Sequence, residues 1–210
     1  MRTLSILLIA LAAPAATAGT VLTYKYSGDT SGTAVLVMEI QDGWISLKQL
    51  EYGEWEVFDP AGPVIREMRA ADRVYRELDG DDGYTYADEL APRTEPEWLG
   101  EMSRDGYECV MYRQDENGSN SMVCLADAAA LGIPAEDVAA LQAYAELIRK
   151  LTDLHVYDSA APLPPGTTGH VAVANLTYDL IKVEQRDVPR EHFETPPDYK
   201  RYEPPKVYGG

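Results

Sequence analysis

Apolar and polar residues alternate with a period of two through much of the chain. In TAVLVMEIQDGW, this alternation predicts a strand with Leu36, Met38 and Ile40 on one face. The next run, ISLKQLEY, continues the pattern, and Asp42-Gly43 between the two runs predicts a hairpin turn. EVFDPAGPVIREM and DRVYRELD predict further short strands. The first half of the chain therefore predicts an antiparallel sheet.

A second alternating run, HVAVANLTYDLIKVEQ, predicts that the chain returns to the sheet near its C-terminus. Its apolar residues follow one parity through Ala174 and Leu180, and then the parity switches to Ile181 and Val183. A switch of this kind predicts a β-bulge, because one extra residue reverses which side chains face the core.

One segment follows the helical period instead. PAEDVAALQAYAELIRKLTDL predicts a helix over 134–153, with Pro134 at its first position and acidic residues in its first turn. Its apolar stripe is broad enough to lie on a sheet. The stripe contains Val138, Leu141, Tyr144, Ala145, Leu147, Ile148, Leu151 and Leu154. The predicted fold class is α+β: a curved antiparallel sheet with a helix across one face, in a single domain.

The chain begins with the three-part pattern of a secretory signal, predicted to span 1–18. Arg2 precedes an apolar run, which is followed by Pro14 and by Ala-Thr-Ala before the predicted cleavage after Ala18. The apolar run is too short to span a bilayer, and no later segment is apolar enough to do so. We therefore expect a periplasmic or secreted protein with one domain over 19–199. TPPDYKRYEPPKVYGG predicts an extended or disordered tail over 200–210.

The charge of the chain excludes one class of partner. With 35 acidic against 18 basic residues, the formal net charge is −17. Such a surface repels the phosphates of nucleic acids and the headgroups of anionic lipids. A lipid partner would have to be held through apolar, enclosed contacts.

The chain has two cysteines, Cys109 and Cys124, and an oxidising compartment favours a disulfide between them. They lie on two predicted strands around Asp115-Glu116-Asn117-Gly118. A four-residue turn at this cluster would place the two cysteines directly opposite each other. The other register, with a two-residue turn at Asn117-Gly118, would place them diagonally and make the bond harder to form. We predict a structural disulfide.

Several of these pieces together resemble the secreted bacterial family called domain of unknown function 4412. The residues that carry the resemblance are Gly106, Cys109 and Tyr112, then Cys124 and Ala126, then Phe193, Pro196 and Tyr199. The family in turn resembles the lipoprotein-carrier fold, a half-open antiparallel barrel with a helical lid that holds acyl chains in its concave face. The resemblance implies this architecture, and it transfers no functional residues.

The resulting hypothesis is a non-enzymatic carrier of a lipid or other apolar ligand. The tentative ligand-binding residues are Leu36, Met38 and Ile40 of the sheet and Leu141, Ala145 and Ile148 of the helix. Three alternatives remain open. In the first, these residues fill a closed core. In the second, the protein is an envelope interaction or stress-sensing module that uses sheet edges or the tail, and in the third it is a cryptic hydrolase.

Catalytic and metal motifs are not evident in the sequence. The acidic run DGDDG lacks the ligand spacing of a calcium loop, and HExxH and Gly-x-Ser-x-Gly do not occur. We therefore predict no catalytic residue, no metal and no cofactor.

Overall fold

A computed structural model describes residues 18–26, 35–49, 53–79, 96–116, 119–150, 169–175 and 178–203. The predicted signal segment lies outside these ranges, except for its last residue, Ala18. So do the end of the predicted helix, 151–153, and the last part of the predicted tail, 204–210.

Strands dominate the described residues, as the alternation predicted. They are β1 (Gly19–Tyr26), β2 (Val35–Gln41), β3 (Trp44–Gln49), β4 (Glu54–Asp59), β5 (Val64–Arg69), β6 (Val74–Leu78), β7 (Glu97–Arg104), β8 (Tyr107–Glu116), β9 (Ser119–Asp127), β10 (His170–Asn175), β11 (Tyr178–Arg186) and β12 (Lys200–Arg201). The helix α1 spans Ala135–Lys150, and a short 3₁₀ helix spans Arg190–Phe193. Pro134 immediately precedes α1 rather than occupying its first position.

All of these strands belong to one open sheet of 12 strands in the order β12-β6-β5-β4-β3-β2-β1-β11-β10-β9-β8-β7. Neighbouring strands run antiparallel, apart from the parallel pair of β12 and β6. The predicted antiparallel sheet is therefore confirmed. Lys200 and Arg201 were predicted to belong to the tail, but they form β12, the strand at one edge of the sheet.

The turn between β2 and β3 shows why a short sequence signal can determine a hairpin. Asp42 and Gly43 have φ angles of 52° and 81°, and Gln41 pairs with Trp44 across the turn. The type I′ form of a two-residue hairpin loop needs positive φ at both positions, which aspartate tolerates and glycine adopts freely. The predicted hairpin is confirmed.

The late alternating run is divided into two strands rather than one. β10 ends at Asn175 and β11 begins at Tyr178, whose backbone N–H donates to the Asn175 side chain. The predicted bulge is confirmed, because Thr23 pairs with Lys182 while Tyr24 pairs with Leu180, which leaves Ile181 as the extra residue.

One face of the sheet packs against α1, and we call it the helix face. Leu22, Leu47 and Phe58 are at most 2% exposed there. The helix is fixed to this face by two buried hydrogen bonds. Thr20 Oγ1 donates to Asp137 Oδ2 at 2.6 Å, and Tyr144 Oη donates to Glu56 Oε2 at 2.7 Å.

The opposite face is crossed by the C-terminal strap, residues 187–203. The backbone N–H of Val188 donates to the Gln41 side chain, and the Tyr199 ring lies edge-on against Trp55. A second apolar cluster fills the space under the strap. Its buried members are Val21, Val57, Met68, Val188 and Phe193. Buried apolar residues therefore lie on both faces of β1, β4 and β5.

The disulfide between Cys109 and Cys124 is present, with its Cα atoms 5.5 Å apart. The register that was predicted to allow it is wrong. Glu116 pairs with Ser119 and Met111 pairs with Cys124, so the turn has two residues and the cysteines lie diagonally. The right-handed twist of a strand pair brings one set of diagonal neighbours closer together, which accounts for the bond.

Candidate ligand-binding site

The sheet residues of the predicted ligand site are fully packed. Leu36, Met38 and Ile40 are 1%, 4% and 0% exposed and belong to one apolar cluster with α1. Leu141 and Ile148 are half-buried and pack against that cluster, and Ala145 is also half-buried. The predicted sheet and helix residues thus contribute to the core between α1 and the sheet.

The chemistry of the helix face changes along a row of residues that pair across neighbouring strands. From β1 to β6 the row contains Leu22, Met38, Leu47, Glu56, Glu67 and Arg76. The row is apolar where the helix covers it and charged towards the edge of the sheet. Glu56 lies at the boundary between the two halves.

Glu56 is a buried acid, with 2% of its surface exposed. Its Oε2 accepts from Tyr144, while its Oε1 is buried and has no hydrogen-bond partner among the described residues. Burial raises the pKa of Glu56 to about 8, with a further increase from the nearby carboxylates of Glu67 and Glu54. Glu56 is therefore mainly protonated at neutral pH, and one of its polar atoms is unsatisfied.

A cavity of about 320 Å³ opens beside Glu56. Its lining comes from β4, β5, β6 and the residue after β12. The residues are Glu54, Trp55, Glu56, Glu67, Met68, Arg69, Val74, Tyr75, Arg76 and Tyr202. The strand pairing places the charged members of this set on the helix face.

The cationic and anionic side chains around the cavity are equal in number when Glu56 is protonated. Arg76 forms an ion pair with Glu67, and the Arg69 guanidinium lies 5.4 Å from the centre of the Tyr202 ring. With Glu56 protonated, the cationic Arg69 and Arg76 balance the anionic Glu54 and Glu67. The cavity therefore attracts neither sign of charge strongly, and it offers hydrogen-bonding groups beside an apolar wall.

A second buried carboxylate, Glu39, lies on the opposite face and holds the strap in place. It accepts from Lys48 Nζ and Arg186 at 2.8 Å, and from His192 Nδ1 in the strap at 2.7 Å. Burial by itself would raise the pKa of Glu39, but Lys48 and His192 outweigh burial and lower it. The arrangement is a structural anchor, since it joins β2, β3, β11 and the strap.

We expect Glu39→Gln to lower the free energy of unfolding by about 2 kcal/mol at pH 7, because three charge-assisted hydrogen bonds lose their ionised acceptor. The sign of the pH dependence follows from the lowered pKa of Glu39. The stabilisation is present above the unfolded-state pKa and is lost as the pH falls through the folded-state value. Urea denaturation at pH 7 and pH 3 measures both effects.

The matched control is Glu184→Gln, which removes a more exposed carboxylate that is paired with Lys182 on β11. This change should lower the free energy of unfolding by less than about 0.5 kcal/mol. Equal losses in the two variants would show that Glu39 is not a buried anchor.

Within the described ranges, no helix is long and apolar enough to cross a membrane. In the same part of the chain, no group of three or more histidine, cysteine, aspartate or glutamate side chains is placed to hold a metal ion. The disulfide is compatible with a location outside the cytoplasm.

Sequence reasoning did not identify Glu56 as a site residue. A signal was present, because Glu56 has the same strand parity as Phe58 in EVFDP and therefore faces the same side of the sheet. However, Trp55 and Val57 make the other face of the same strand equally apolar. Only the position of Tyr144 shows that the Glu56 face is enclosed.

Comparisons with known proteins add little to this geometry. No family model matches the chain, and no curated protein matches it. A solved structure described as "Structure of PNGF-II in C2 space group" aligns with a TM-score of 0.47 and 10% identity, over 89% of this chain and 31% of that chain. The chain thus spans less than a third of that protein's length, and this degree of similarity supports no functional argument.

Proposed function

We propose that the protein is a non-enzymatic, periplasmic ligand-binding protein that shelters a small amphiphilic molecule on the helix face of its sheet, over β4, β5 and β6. The observation that carries this proposal is the cavity of about 320 Å³ with the buried, partly unsatisfied Glu56 in its wall. This volume lies within the range of small-molecule sites. A buried polar atom without a partner is uncommon in proteins, and a ligand or an ordered water commonly supplies the missing bond.

Two further features support the proposal. The predicted signal at 1–18 and the disulfide suit a periplasmic protein. The resemblance to domain of unknown function 4412 suggests a half-open barrel with a helical lid, and the packing of α1 against β2 and β3 is compatible with such a lid.

The proposed site differs from the one suggested by the sequence. Leu36, Met38 and Ile40 are enclosed in the core, so the ligand would lie further along the helix face, over β4, β5 and β6. It would contact Val74 and Tyr202 with its apolar part and approach Glu56 with its polar part.

Val74→Trp is expected to abolish binding, because an indole ring in place of the valine side chain fills a large part of the cavity. We would purify the mature protein from its own periplasm without detergent and compare its native mass spectrum before and after solvent extraction. The wild type should carry a stoichiometric small molecule, and the variant should carry less than about a tenth of that amount, which corresponds to at least 1.4 kcal/mol of lost affinity.

The control is Val64→Trp, the same substitution at a half-buried strand position that does not line the cavity. It should retain the ligand. An empty wild-type protein would contradict the proposal. An empty protein with a reproducible protein partner would favour an interaction module, for which the exposed strand β7 with Trp98, 62% exposed, is the candidate surface.

A further inference from the structure

The two edges of the sheet differ in how well they resist the addition of another strand. One edge is β12, which has only two residues, the exposed and cationic Lys200 and Arg201. Short length and positive charge are common means by which proteins protect a sheet edge. The other edge is β7, which is eight residues long and contains neither lysine nor proline. Among the described strands β7 pairs only with β8, so its outer edge is open to strand addition.

A β-bulge limits the length of this open edge. Leu99 is the extra residue between Trp98 and Gly100, which pair with consecutive residues of β8. A bulge bends its strand and interrupts the ladder of hydrogen bonds. On the far side of the bulge, residues 101–104 pair one to one with β8. The regular part of the edge is therefore short, which suits a short extended segment.

The face of the sheet beside this edge, opposite the helix face, carries aromatic side chains. Cys109 and Met111 of β8 pack in the core cluster that includes α1, so the alternate residues Glu108 and Tyr112 point to the opposite face. Trp98 pairs with Tyr112 and therefore lies on that face as well. Trp98 is 62% exposed, and an exposed indole ring attracts cations.

Two carboxylates on the same face have no compensating cation. Glu101 pairs with Val110, which lies two residues from Glu108 and shares its face, so both acids project there. Both are exposed, and within the described part of the chain neither forms a hydrogen bond or an ion pair. Arg104, the cation on β7, is already paired with Asp179. A cation on an added segment therefore meets unbalanced negative charge as well as the indole ring.

We propose that the outer edge of β7 binds an extended, basic segment of another protein by strand addition. Main-chain hydrogen bonds form along residues 101–104. Lysine or arginine side chains of the segment lie against Glu101, Glu108 and Trp98. A second copy of this chain fits the edge less well, because each copy has a net charge of −17 and brings further uncompensated carboxylates. None of these residues lines the cavity, so the interaction goes beyond the proposed ligand-binding function.

The probe is a fluorescein-labelled, seven-residue peptide that alternates lysine with valine or threonine. Three N-methylated forms keep its charge: two carry methyl groups along one edge of the extended backbone, and the third carries them along both edges. An N-methyl group cannot donate a hydrogen bond, so only the third form has no edge left for pairing. Fluorescence anisotropy with the mature protein at low ionic strength should show that the unmodified peptide and at least one form methylated on a single edge bind. The form methylated on both edges should bind at least about tenfold more weakly.

Protein variants with matched controls locate the site on β7. Trp98→Ala should weaken binding of the unmodified peptide about fivefold, whereas Ile181→Ala, at an exposed position on the interior strand β11, should leave it unchanged. Glu101→Lys should weaken binding at least about tenfold. Glu191→Lys makes the same change in net charge away from β7, and should weaken binding less than about twofold. All four changes are at exposed positions and should leave the circular dichroism spectrum unchanged.

Equal binding of the peptide methylated on both edges would show that charge alone attracts the probe, and would overturn strand addition. Equal losses in each variant and its control would place the site away from β7 and overturn the assignment. A dimer in sedimentation equilibrium that Trp98→Ala dissociates would make a second copy the occupant of the edge, contrary to the proposal. Failure of all four peptides to bind would overturn the proposal as well.

Discussion

Glu56→Gln should make the protein more stable at pH 8 and above, although it changes a buried side chain. Burial raises the pKa of Glu56 to about 8 from 4.5. Between these two values the folded protein holds a proton that the unfolded chain has released, so wild-type stability must fall as the pH rises. At 1.36 kcal/mol per pKa unit, the free energy of unfolding falls by at most ~5 kcal/mol in total. This decrease is complete above pH 8.

Glutamine at this position resembles the neutral acid and keeps the acceptor for Tyr144. The Gln variant should therefore match the wild type near pH 4.5 and exceed it increasingly towards pH 8 and above. Urea denaturation of both proteins at several pH values between 4.5 and 9 measures the difference. The difference between the two curves isolates Glu56, because every other titrating group is common to both proteins.

Glu101→Gln serves as the control, because Glu101 is an exposed carboxylate on a strand. Its stability curve should run parallel to that of the wild type. Parallel curves for Glu56→Gln as well would mean that Glu56 is ionised in the folded protein at neutral pH.

Loss of the disulfide is the second large effect. The bond joins cysteines 15 residues apart, and closing such a loop stabilises the folded state by about 3 kcal/mol in the chain-entropy model. Both cysteines are buried, at 5% and 0% exposure, so alanine is a better replacement than serine. The double variant Cys109→Ala, Cys124→Ala should have a melting temperature roughly 6–12 °C lower, measured by calorimetry.

Reductant provides the internal control. It should lower the melting temperature of the wild type towards that of the double variant and leave the double variant unchanged. A wild type that is insensitive to reductant under unfolding conditions, or one that exposes two reactive thiols when isolated from its source, would contradict a structural role for this bond.

The pairing of the cysteines could be predicted without the correct register. An oxidising compartment, predicted from the signal pattern, and the count of two cysteines were sufficient to predict the pairing, whereas the register depended on the turn. Asp115-Glu116-Asn117-Gly118 accommodates either a four-residue or a two-residue loop, and local sequence does not choose between them. In the folded protein, β8 must also pair with β7 while β9 pairs with β10. The register must satisfy these neighbours as well as the turn.

The burial of the acidic residues could not be predicted either, and the reason is related. Glu39 and Glu56 each occur within an alternating strand, where a charged residue normally marks the solvent side. In this sheet, both sides are covered around these residues, one by α1 and the other by the C-terminal strap. Asp137 was likewise predicted to lie in the first turn of a helix, and it is in addition buried against Thr20.

The sequence by itself determined the local elements of this protein. The period of two predicted the strands, the helical period predicted α1, and Asp42-Gly43 predicted a hairpin turn, because each depends on residues that are close together in the chain. Tertiary structure decided which polar groups are buried and where the cavity lies. Burial of Glu56 requires Tyr144, 88 positions away, and that of Glu39 requires His192, 153 positions away. Contacts between residues so far apart in the chain depend on the packing of the whole sheet, which a local pattern of residues does not predict.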